Sequence, residues 1–447
     1  MGDGDEVVGV GEGSGSSPAE HPAAKASTSK DAAHGAARRG RRWVGSATAG
    51  TRLLYEVRPL GPYPEHVPRP AVPSLLPRLQ EALAGGPPLL VGPAAERVRA
   101  QALDHPGLAL VLGTSGSTSG TSRAVALSAA ALRASAAATH ERLSGPGQWL
   151  LTLPPDHVAG VQVLVRSLEA GTEPELTPEG PFNPAELAAA ITRMRTDVPR
   201  YVSLVPTQLV RVLDSNASGA LAALRTCAAV LVGGAATPAP LLERARQAGI
   251  SVVTTYGMTE TCGGCVYDGV PLQGVTVRLA ASGRIEISGP VLAEAYLQAP
   301  GHDAGAAGAA TSELVTEEGR RWLRTTDSGS WADDRLVVHG RLDDVLVTGG
   351  VNVHPHEVER RLSEAAGLQE CVVVGVPDPT WGELVTAVVV GRSTLAALRT
   401  EAGGGPYAPR ALVRVAALPH RGPGKVDRRA AGDLAARAVA DGTAEVH

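Results

Sequence analysis

From Trp43 to about His339, short apolar runs alternate with alanine-rich amphipathic stretches, the rhythm of strands and helices in turn. Residues 108–112 (LALVL) form an apolar run of strand length, followed by a Ser/Thr/Gly segment. Residues 128–143 then carry the longer spacing of a helix. Val230-Leu231-Val232 runs into Gly233-Gly234, and a helix is expected over 238–247 and a strand over 251–255. Strand, glycine turn, helix, strand is the signature of parallel α/β units. The expected fold class is therefore α/β, with a large N-terminal domain over 43–339. After Gly340 the texture changes to a small α+β pattern over 340–447. It has a loop at Thr348-Gly349-Gly350, a helix opening at Pro355, and strands over 371–376 and 384–390. Residues 1–42 are rich in Gly, Ser, Ala and charge without apolar period, which predicts a disordered tail.

Composition narrows the function. The 447 residues are 43% hydrophobic but only 3% aromatic, so the cores must be built from Ala, Val and Leu, and stacking platforms for bases are few. A net charge of -4 gives no electrostatic footprint for nucleic acid. No basic-then-apolar leader opens the chain, and the longest apolar runs are too short to span a bilayer, so a cytoplasmic enzyme is expected. Cys262-Gly-Gly-Cys265 has metal or redox spacing, but Cys227 and Cys371 are far off in sequence. A zinc site needs four ligands, so small residues lining a pocket wall are the expectation there. His354 and His356 flank a helix start and are expected to be entry residues. Lysine occurs only at Lys25, Lys30 and Lys425, although Lys and Arg together number 41. The single lysine outside the tail lies on a Gly/Pro loop, which suits a small mobile charge better than a broad guanidinium fork.

Four polar segments carry candidate chemistry. Thr114-Ser115-Gly116-Ser117-Thr118-Ser119-Gly120-Thr121-Ser122-Arg123 combines hydroxyls, glycines and a terminal cation, read as lying between a strand and a helix. Such a segment suits phosphate oxygens, because backbone amides and a helix N-terminus converge there. It lacks the G-x-x-x-x-G-K-[ST] pattern of a P-loop. Tyr256-Gly257-Met258-Thr259-Glu260-Thr261, read as directly following a strand, offers a hydroxyl and a carboxylate to a phosphate and Mg²⁺. Asp327, in Thr326-Asp327-Ser328-Gly329 and read as lying at a strand end, suits ribose hydroxyls, which need acceptors, and Gly340-Arg341-Leu342-Asp343 follows as a further polar segment.

In this order these segments resemble the adenylate-forming superfamily of acyl-CoA synthetases, luciferases and peptide-synthetase adenylation domains, over roughly residues 45–435. The phosphate loop is one residue longer than the family's usual form and has Ser122-Arg123 where Pro-Lys is usual. The resemblance implies that Thr114, Ser115, Gly116, Ser117, Thr118, Gly120 and Arg123 hold the ATP phosphates. It implies that Gly233, Gly234 and Ala235 line the adenine, with Tyr256 stacked on it beside Gly257. Thr259 and Glu260 would serve phosphate and Mg²⁺, Glu260 as the metal carboxylate, while Asp327 and Arg341 hold the ribose. Asp343 matches the hinge between domains, Gly349 and Gly350 the loop that admits coenzyme A, and Lys425 the catalytic lysine of adenylation.

Within the superfamily, residues 153–160 (LPPDHVAG) with Gln162 and residues 166–171 (RSLEAG), and residues 203–209 (SLVPTQL), are similar to the o-succinylbenzoate-CoA ligases of menaquinone biosynthesis. That similarity implies a dicarboxylate substrate, with Arg166 pairing the carboxylate that does not react, and with His157 and Thr207 lining the substrate pocket. Arg166 sits among Val161, Val163, Leu164, Val165 and Leu168, so it should be embedded and should have an anionic partner. The implied co-substrates are ATP, Mg²⁺ and coenzyme A. The partners are small molecules, with no nucleic acid and no integral membrane segment. Three other readings stay open: a CoA synthetase for another acid, an adenylation domain feeding a carrier protein, and a non-catalytic nucleotide-binding module.

Overall fold

The computed structural model describes residues 72–114, 123–215, 219–298, 312–421 and 425–447, with the backbone alone at Thr114, Arg421 and Lys425. The stretch 1–42, expected to be a disordered tail, lies outside the described residues. Helix α1 (Val72–Leu83) places Leu75, Leu79, Ala82 and Leu83 on one buried face, the spacing of a helix against a core.

The first sheet holds β1 (Leu89–Val91), β2 (Leu108–Thr114) and β3 (Arg123–Ser128), with the short helices α2 (Pro93–Arg97) and α3 (Arg99–Asp104) between β1 and β2. The Ser/Thr/Gly segment was expected between a strand and a helix; instead it joins β2 to its antiparallel neighbour β3. The reason is the apolar run from Ala124 to Leu127, buried on both faces, which completes the β2 ladder before any helix can begin. Helix α4 (Ala129–Arg142) starts only afterwards, where Ser128 Oγ accepts from the Ala131 amide at 3.2 Å.

The second sheet is the α/β unit the sequence predicts. Its strands are β4 (Gln148–Leu151), β5 (Glu175–Leu176), β6 (Arg200–Leu204), β7 (Ala229–Val232), β8 (Val252–Met258), β9 (Gly263–Tyr267) and β10 (Val270–Pro271). They lie in the order β10-β9-β8-β7-β6-β4-β5. Pairings from β8 to β5 are parallel, and β9 and β10 turn back antiparallel. The crossovers carry α5 (Val158–Glu169), α6 (Pro184–Arg193), α7 (Pro206–Asp214), α8 (Ala220–Leu224) and α9 (Ala239–Gln247). Strand β8 runs three residues beyond the expected end at Thr255, because β9 folds back and pairs with it out to Met258. Tyr256 therefore lies in the strand, and only Thr259–Thr261, a single 3₁₀ turn, follows it.

The third sheet contains β11 (Thr276–Leu279) and β12 (Arg284–Ser288). Strand β13 (Ala295–Leu297) leaves it and closes the edge of the first sheet against β3. The chain returns with β14 (Glu313–Glu317), β15 (Arg320–Ala332) and β16 (Arg335–Arg341). Asp327 is thus in the middle of a 13-residue strand, not at its end, next to a break in register between Ser328 and Gly329.

Past a 3₁₀ turn at Leu342–Asp344, the small α+β part comprises β17 (Leu346–Thr348), β18 (Val351–Val353), α10 (Pro355–Leu362), β19 (Leu368–Asp378), β20 (Gly382–Gly391) and α11 (Leu395–Glu401). It ends with β21 (Ala411–Arg414), the hairpin of β22 (His420–Arg421) and β23 (Lys425–Val426), α12 (Arg428–Ala440) and β24 (Glu445–Val446). Gly349 and Gly350 form the two-residue turn between β17 and β18, at φ +56° and +77°. Such a hairpin turn needs positive φ at both central positions, which is why glycine occupies both. The largest fully buried side chains are Trp149, Tyr201 and Tyr267; Ala, Val and Leu fill most of the rest. Among the described residues no helix is long and apolar enough to cross a membrane.

Candidate active site

The C-terminal ends of parallel strands are where an α/β sheet leaves room for ligands. Gly233, Gly234 and Ala235 follow β7 there, and Thr207 opens α7 just past β6. Beside them the half-buried Tyr256 donates its hydroxyl to Asp327 Oδ2 at 2.8 Å. Burial, then the Asp327 charge, holds the phenol well above its ordinary pKa, so it remains a donor at neutral pH. A carboxylate offers about four acceptor positions, so Asp327 can serve Tyr256 and a vicinal diol together. Asp327 and Arg341 are cross-strand partners on β15 and β16. The Arg341 guanidinium is held by a two-pronged pair with Asp343, at 2.7 Å and 2.6 Å. Burial disfavours that cation, but Asp343, with Asp327 and Asp344 nearby, outweighs it and raises its pKa. The ribose candidates and the hinge candidate thus form one connected group.

Glu260 lies in the 3₁₀ turn after β8, and its Oε1 accepts from the Tyr296 hydroxyl at 3.0 Å. The Arg123 guanidinium stacks on the same Tyr296 ring, 3.6 Å from its centroid, and donates to the Ser312 carbonyl at 3.3 Å. Burial, followed by Glu260, pushes the Tyr296 phenol up. Arg123 closes the phosphate segment, so one tyrosine links that segment to the candidate metal carboxylate. Ser115, Gly116, Ser117, Thr118 and Gly120 lie outside the described residues, as does the Thr114 side chain. The resemblance then predicts that Tyr296→Phe lowers adenylation about tenfold, since one hydrogen bond to a charged group contributes about 1.5–3 kcal/mol; the Mg²⁺ dependence of pyrophosphate exchange measures it.

Helix α5 and its cap carry the candidate acid-binding residues, His157 exposed at the start and Arg166 buried near the end, with Gln162 buried between them. His157 is the exposed residue at its start, with Nε2 4.0 Å from Asp156 Oδ1. Gln162 is completely buried, and Arg166 is 4% exposed. No acidic side chain pairs with Arg166 among the described residues. Its Nη2 donates to the Tyr267 hydroxyl at 3.3 Å, its guanidinium lies 4.9 Å from the Trp149 ring centroid, and its Nε has no partner among the described residues. Burial lowers the pKa of Arg166, with Tyr267 opposing. Burial and then Arg166 lower that of His140 to about 4. His140 is therefore neutral at pH 7, free to accept from Trp149 Nε1 at 3.2 Å.

In the small part, Lys425 lies on β23, with its side chain outside the described residues. Three positions on, Arg428 donates to Glu359 Oε1 at 2.7 Å, and its Nε lies 3.4 Å from Asp344 Oδ2, beside the hinge candidate Asp343. His356 Nδ1 lies 2.8 Å from Glu359 Oε2. His354 and His356 are thus helix-entry residues, as expected. Burial alone would raise the Glu359 pKa, but Arg428 and His356 outweigh it and take it from 4.5 to about 2. A lowered carboxylate pKa stabilises the fold above the unfolded value and loses that contribution as pH falls toward the folded one. Stability should therefore drop by about 3 kcal/mol between roughly pH 5 and 2. Glu359→Gln should flatten this part of the profile and melt lower at pH 7, read by thermal unfolding across pH. At the other end of the small part, Gly349 packs beneath Trp381 and donates to its carbonyl at 2.8 Å.

Cys262 and Cys265 are free and buried, and burial pushes the Cys265 thiol up to about 12. Among the described residues no group of three or more His, Cys, Asp or Glu could hold a metal. The sequence reading missed Tyr296, Arg428 and Trp381. Only the scarcity of aromatics singled out Tyr296 and Trp381, and nothing local marked Arg428 among so many arginines.

A large α/β part in which a hydroxyl-rich segment joins β2 to β3 and Tyr256 meets Asp327 beside Arg341, followed by a small α+β part, fits an adenylate-forming enzyme. The chain belongs to the AMP-binding enzyme family: residues 56–296 match that family, and residues 357–425 match the AMP-binding enzyme C-terminal domain. A probable 2-succinylbenzoate–CoA ligase of Mycobacterium tuberculosis is 45% identical over 386 residues, 82% of this chain and 96% of that protein. The 2-succinylbenzoate–CoA ligase of Escherichia coli is 32% identical over 249 residues, 54% of this chain and 49% of that one. The fold matches o-succinylbenzoate CoA synthetase from Bacillus subtilis in complex with its acyl-adenylate intermediate, at a TM-score of 0.60 and 23% identity, covering 79% of this chain and 80% of that one.

Proposed function

We propose that this chain is a 2-succinylbenzoate–CoA ligase that activates the acid with ATP and passes it to coenzyme A, the step the resemblance assigns to menaquinone biosynthesis. The observation that carries the choice of acid is Arg166, a buried guanidinium with no acidic partner among the described residues. A buried cation in an apolar surround is expensive unless it is paired, and a dicarboxylate brings one more carboxylate than the reaction consumes. The 45% identity to the mycobacterial relative supports the same choice.

In the proposed reaction one carboxylate of the acid attacks the α-phosphate of ATP and pyrophosphate leaves. The thiol of coenzyme A then displaces AMP from the acyl-adenylate. Tyr256 stacks on the adenine, Gly233, Gly234 and Ala235 line it, and Asp327 accepts from the ribose hydroxyls while Arg341 braces that corner through Asp343. The phosphate segment from Thr114 to Arg123, with Thr259, receives the phosphates. Mg²⁺ is commonly bound through one or two carboxylates plus substrate phosphates and water; Glu260, a single carboxylate fixed by Tyr296, fits that donor set. When bound, the ion supplies charge neutralisation at the phosphates. Lys425 places an ammonium where negative charge builds during displacement. The small part pivots near Asp343 between the two steps, bringing the Gly349-Gly350 turn to the thiol.

The test is purified protein with ATP, Mg²⁺, free coenzyme A and a panel of aromatic and aliphatic acids, with thioester products read by mass. The expected result is a 2-succinylbenzoyl thioester in clear preference to all others. Preference for a monocarboxylic acid, or acylation of a phosphopantetheinyl protein only, would overturn the proposal.

A further inference from the structure

The α5–β9 seam holds a second buried polar group with no partner. Gln162 is 0% exposed, and neither Nε2 nor Oε1 makes a hydrogen bond among the described residues. It stands one helical turn before Arg166, so the two side chains share a face of α5. Both meet the same strand: a Cβ at Gly263 would lie 3.3 Å from Gln162 Cγ, and Arg166 reaches Tyr267, four residues along β9. Only a residue without a side chain at 263 lets the glutamine approach β9 this closely. A buried amide without partners is destabilising in a free protein. Whichever way round the amide is set, an N–H₂ donor faces nothing, and one turn away the Arg166 Nε–H faces nothing either. Two orphaned donors, one on a fixed cation, with no acidic side chain paired to them among the described residues, match an anionic ligand that only accepts.

We infer that Gln162 is a specificity-determining residue that donates to the non-reacting carboxylate of the substrate, side by side with Arg166. The inference rests on the proposed dicarboxylate reading and adds the neutral arm of the receptor. A guanidinium alone attracts any anion, whereas an added amide donor fixes the direction from which the carboxylate must arrive.

The experiment compares wild type with Gln162→Leu and Gln162→Glu on 2-succinylbenzoate and on two analogues that keep one carboxylate each, 4-oxo-4-phenylbutanoate and 2-butanoylbenzoate. For Gln162→Leu the KM for 2-succinylbenzoate should rise about tenfold, with kcat little changed. The KM for whichever analogue is turned over should stay within about twofold. Gln162→Glu should act more strongly on the dicarboxylate, because the new carboxylate competes for Arg166 and repels the substrate. A second readout separates recognition from structure: without ligand, Gln162→Leu should melt about 1–3 °C higher, having lost an unsatisfied amide, yet gain less from added 2-succinylbenzoate than wild type does. Equal losses on dicarboxylate and analogue, a fall in the ligand-free melting temperature, or an undiminished ligand-induced shift would each overturn the inference. A wild-type enzyme inactive on 2-succinylbenzoate would instead sink the proposed function, so the two failures are distinguishable.

Discussion

Lys425→Arg should slow acyl-adenylate formation about 10²–10³-fold while sparing thioester formation from preformed acyl-adenylate. Lys425 is the only lysine outside residues 1–42, in a chain that uses arginine nearly everywhere else. It lies on the short β22–β23 hairpin, immediately before the Asp427 cap and the α12 helix, and Arg428 fastens the start of that helix to Glu359 and to Asp344. The chain on one side of Lys425 is therefore fixed, and in the proposed mechanism its position follows the pivot near Asp343. A guanidinium keeps the charge but replaces a compact, three-donor ammonium by a wide planar fork, which cannot enter the same space beside a transferring phosphoryl group. Loss of one oriented donor at a site of developing charge costs about 10²–10³-fold in rate. Pyrophosphate exchange should fall by that factor. Conversion of synthetic acyl-adenylate and coenzyme A to thioester should remain within about threefold, because a one-donor loss matters only where the charge develops. Near-normal exchange in the variant would sink the assignment of Lys425.

The second large effect is expected at Arg166. Arg166→Met should raise the KM for 2-succinylbenzoate about 10–100-fold, the range for losing a hydrogen-bonded charge partner. The change for an acid with a single carboxylate should be small. The fold should tolerate it: replacing a buried charge by an apolar side chain of similar volume is often neutral or stabilising. Here the guanidinium leaves behind only the Tyr267 hydroxyl, which retains Thr139 Oγ1 at 3.0 Å. Thermal melting with and without the acid separates a binding defect from a folding defect. An equal rise in KM for both kinds of acid would show that Arg166 supports the helix and not the ligand.

Much of the fold was legible because it rests on local patterning. The run 230–232 before two glycines, the helix entered at Pro355 and the long apolar strands of the small part all fall where the apolar period puts them. What the sequence concealed depends on pairing across distance. The Ser/Thr/Gly segment was read as leading into a helix because 124–127 is too short a run to announce a separate strand, and only its ladder with β2 makes it one. Asp327 is expected at a strand end, but pairing with β12 and β16 continues the strand past it, with a shift in register between Ser328 and Gly329. In the candidate site, residue types pointed to Glu260 and Asp327 as candidates, and the family resemblance added Arg341. Their braces did not show: Tyr296 lies 36 residues from Glu260, and Arg428 is 69 from Glu359. Arg166 is embedded as its apolar neighbours require, against the Trp149 ring and the Tyr267 hydroxyl, with no acidic side chain paired to it among the described residues.

The most direct test of the whole account is acid-dependent exchange of labelled pyrophosphate into ATP by the full-length protein. Exchange should require Mg²⁺ and should be driven by 2-succinylbenzoate at least about tenfold better than by either single-carboxylate analogue, the discrimination expected from one charge-assisted contact. Absence of exchange with every acid would show a nucleotide-binding module without catalysis, and equal exchange with the analogues would contradict the dicarboxylate site on α5.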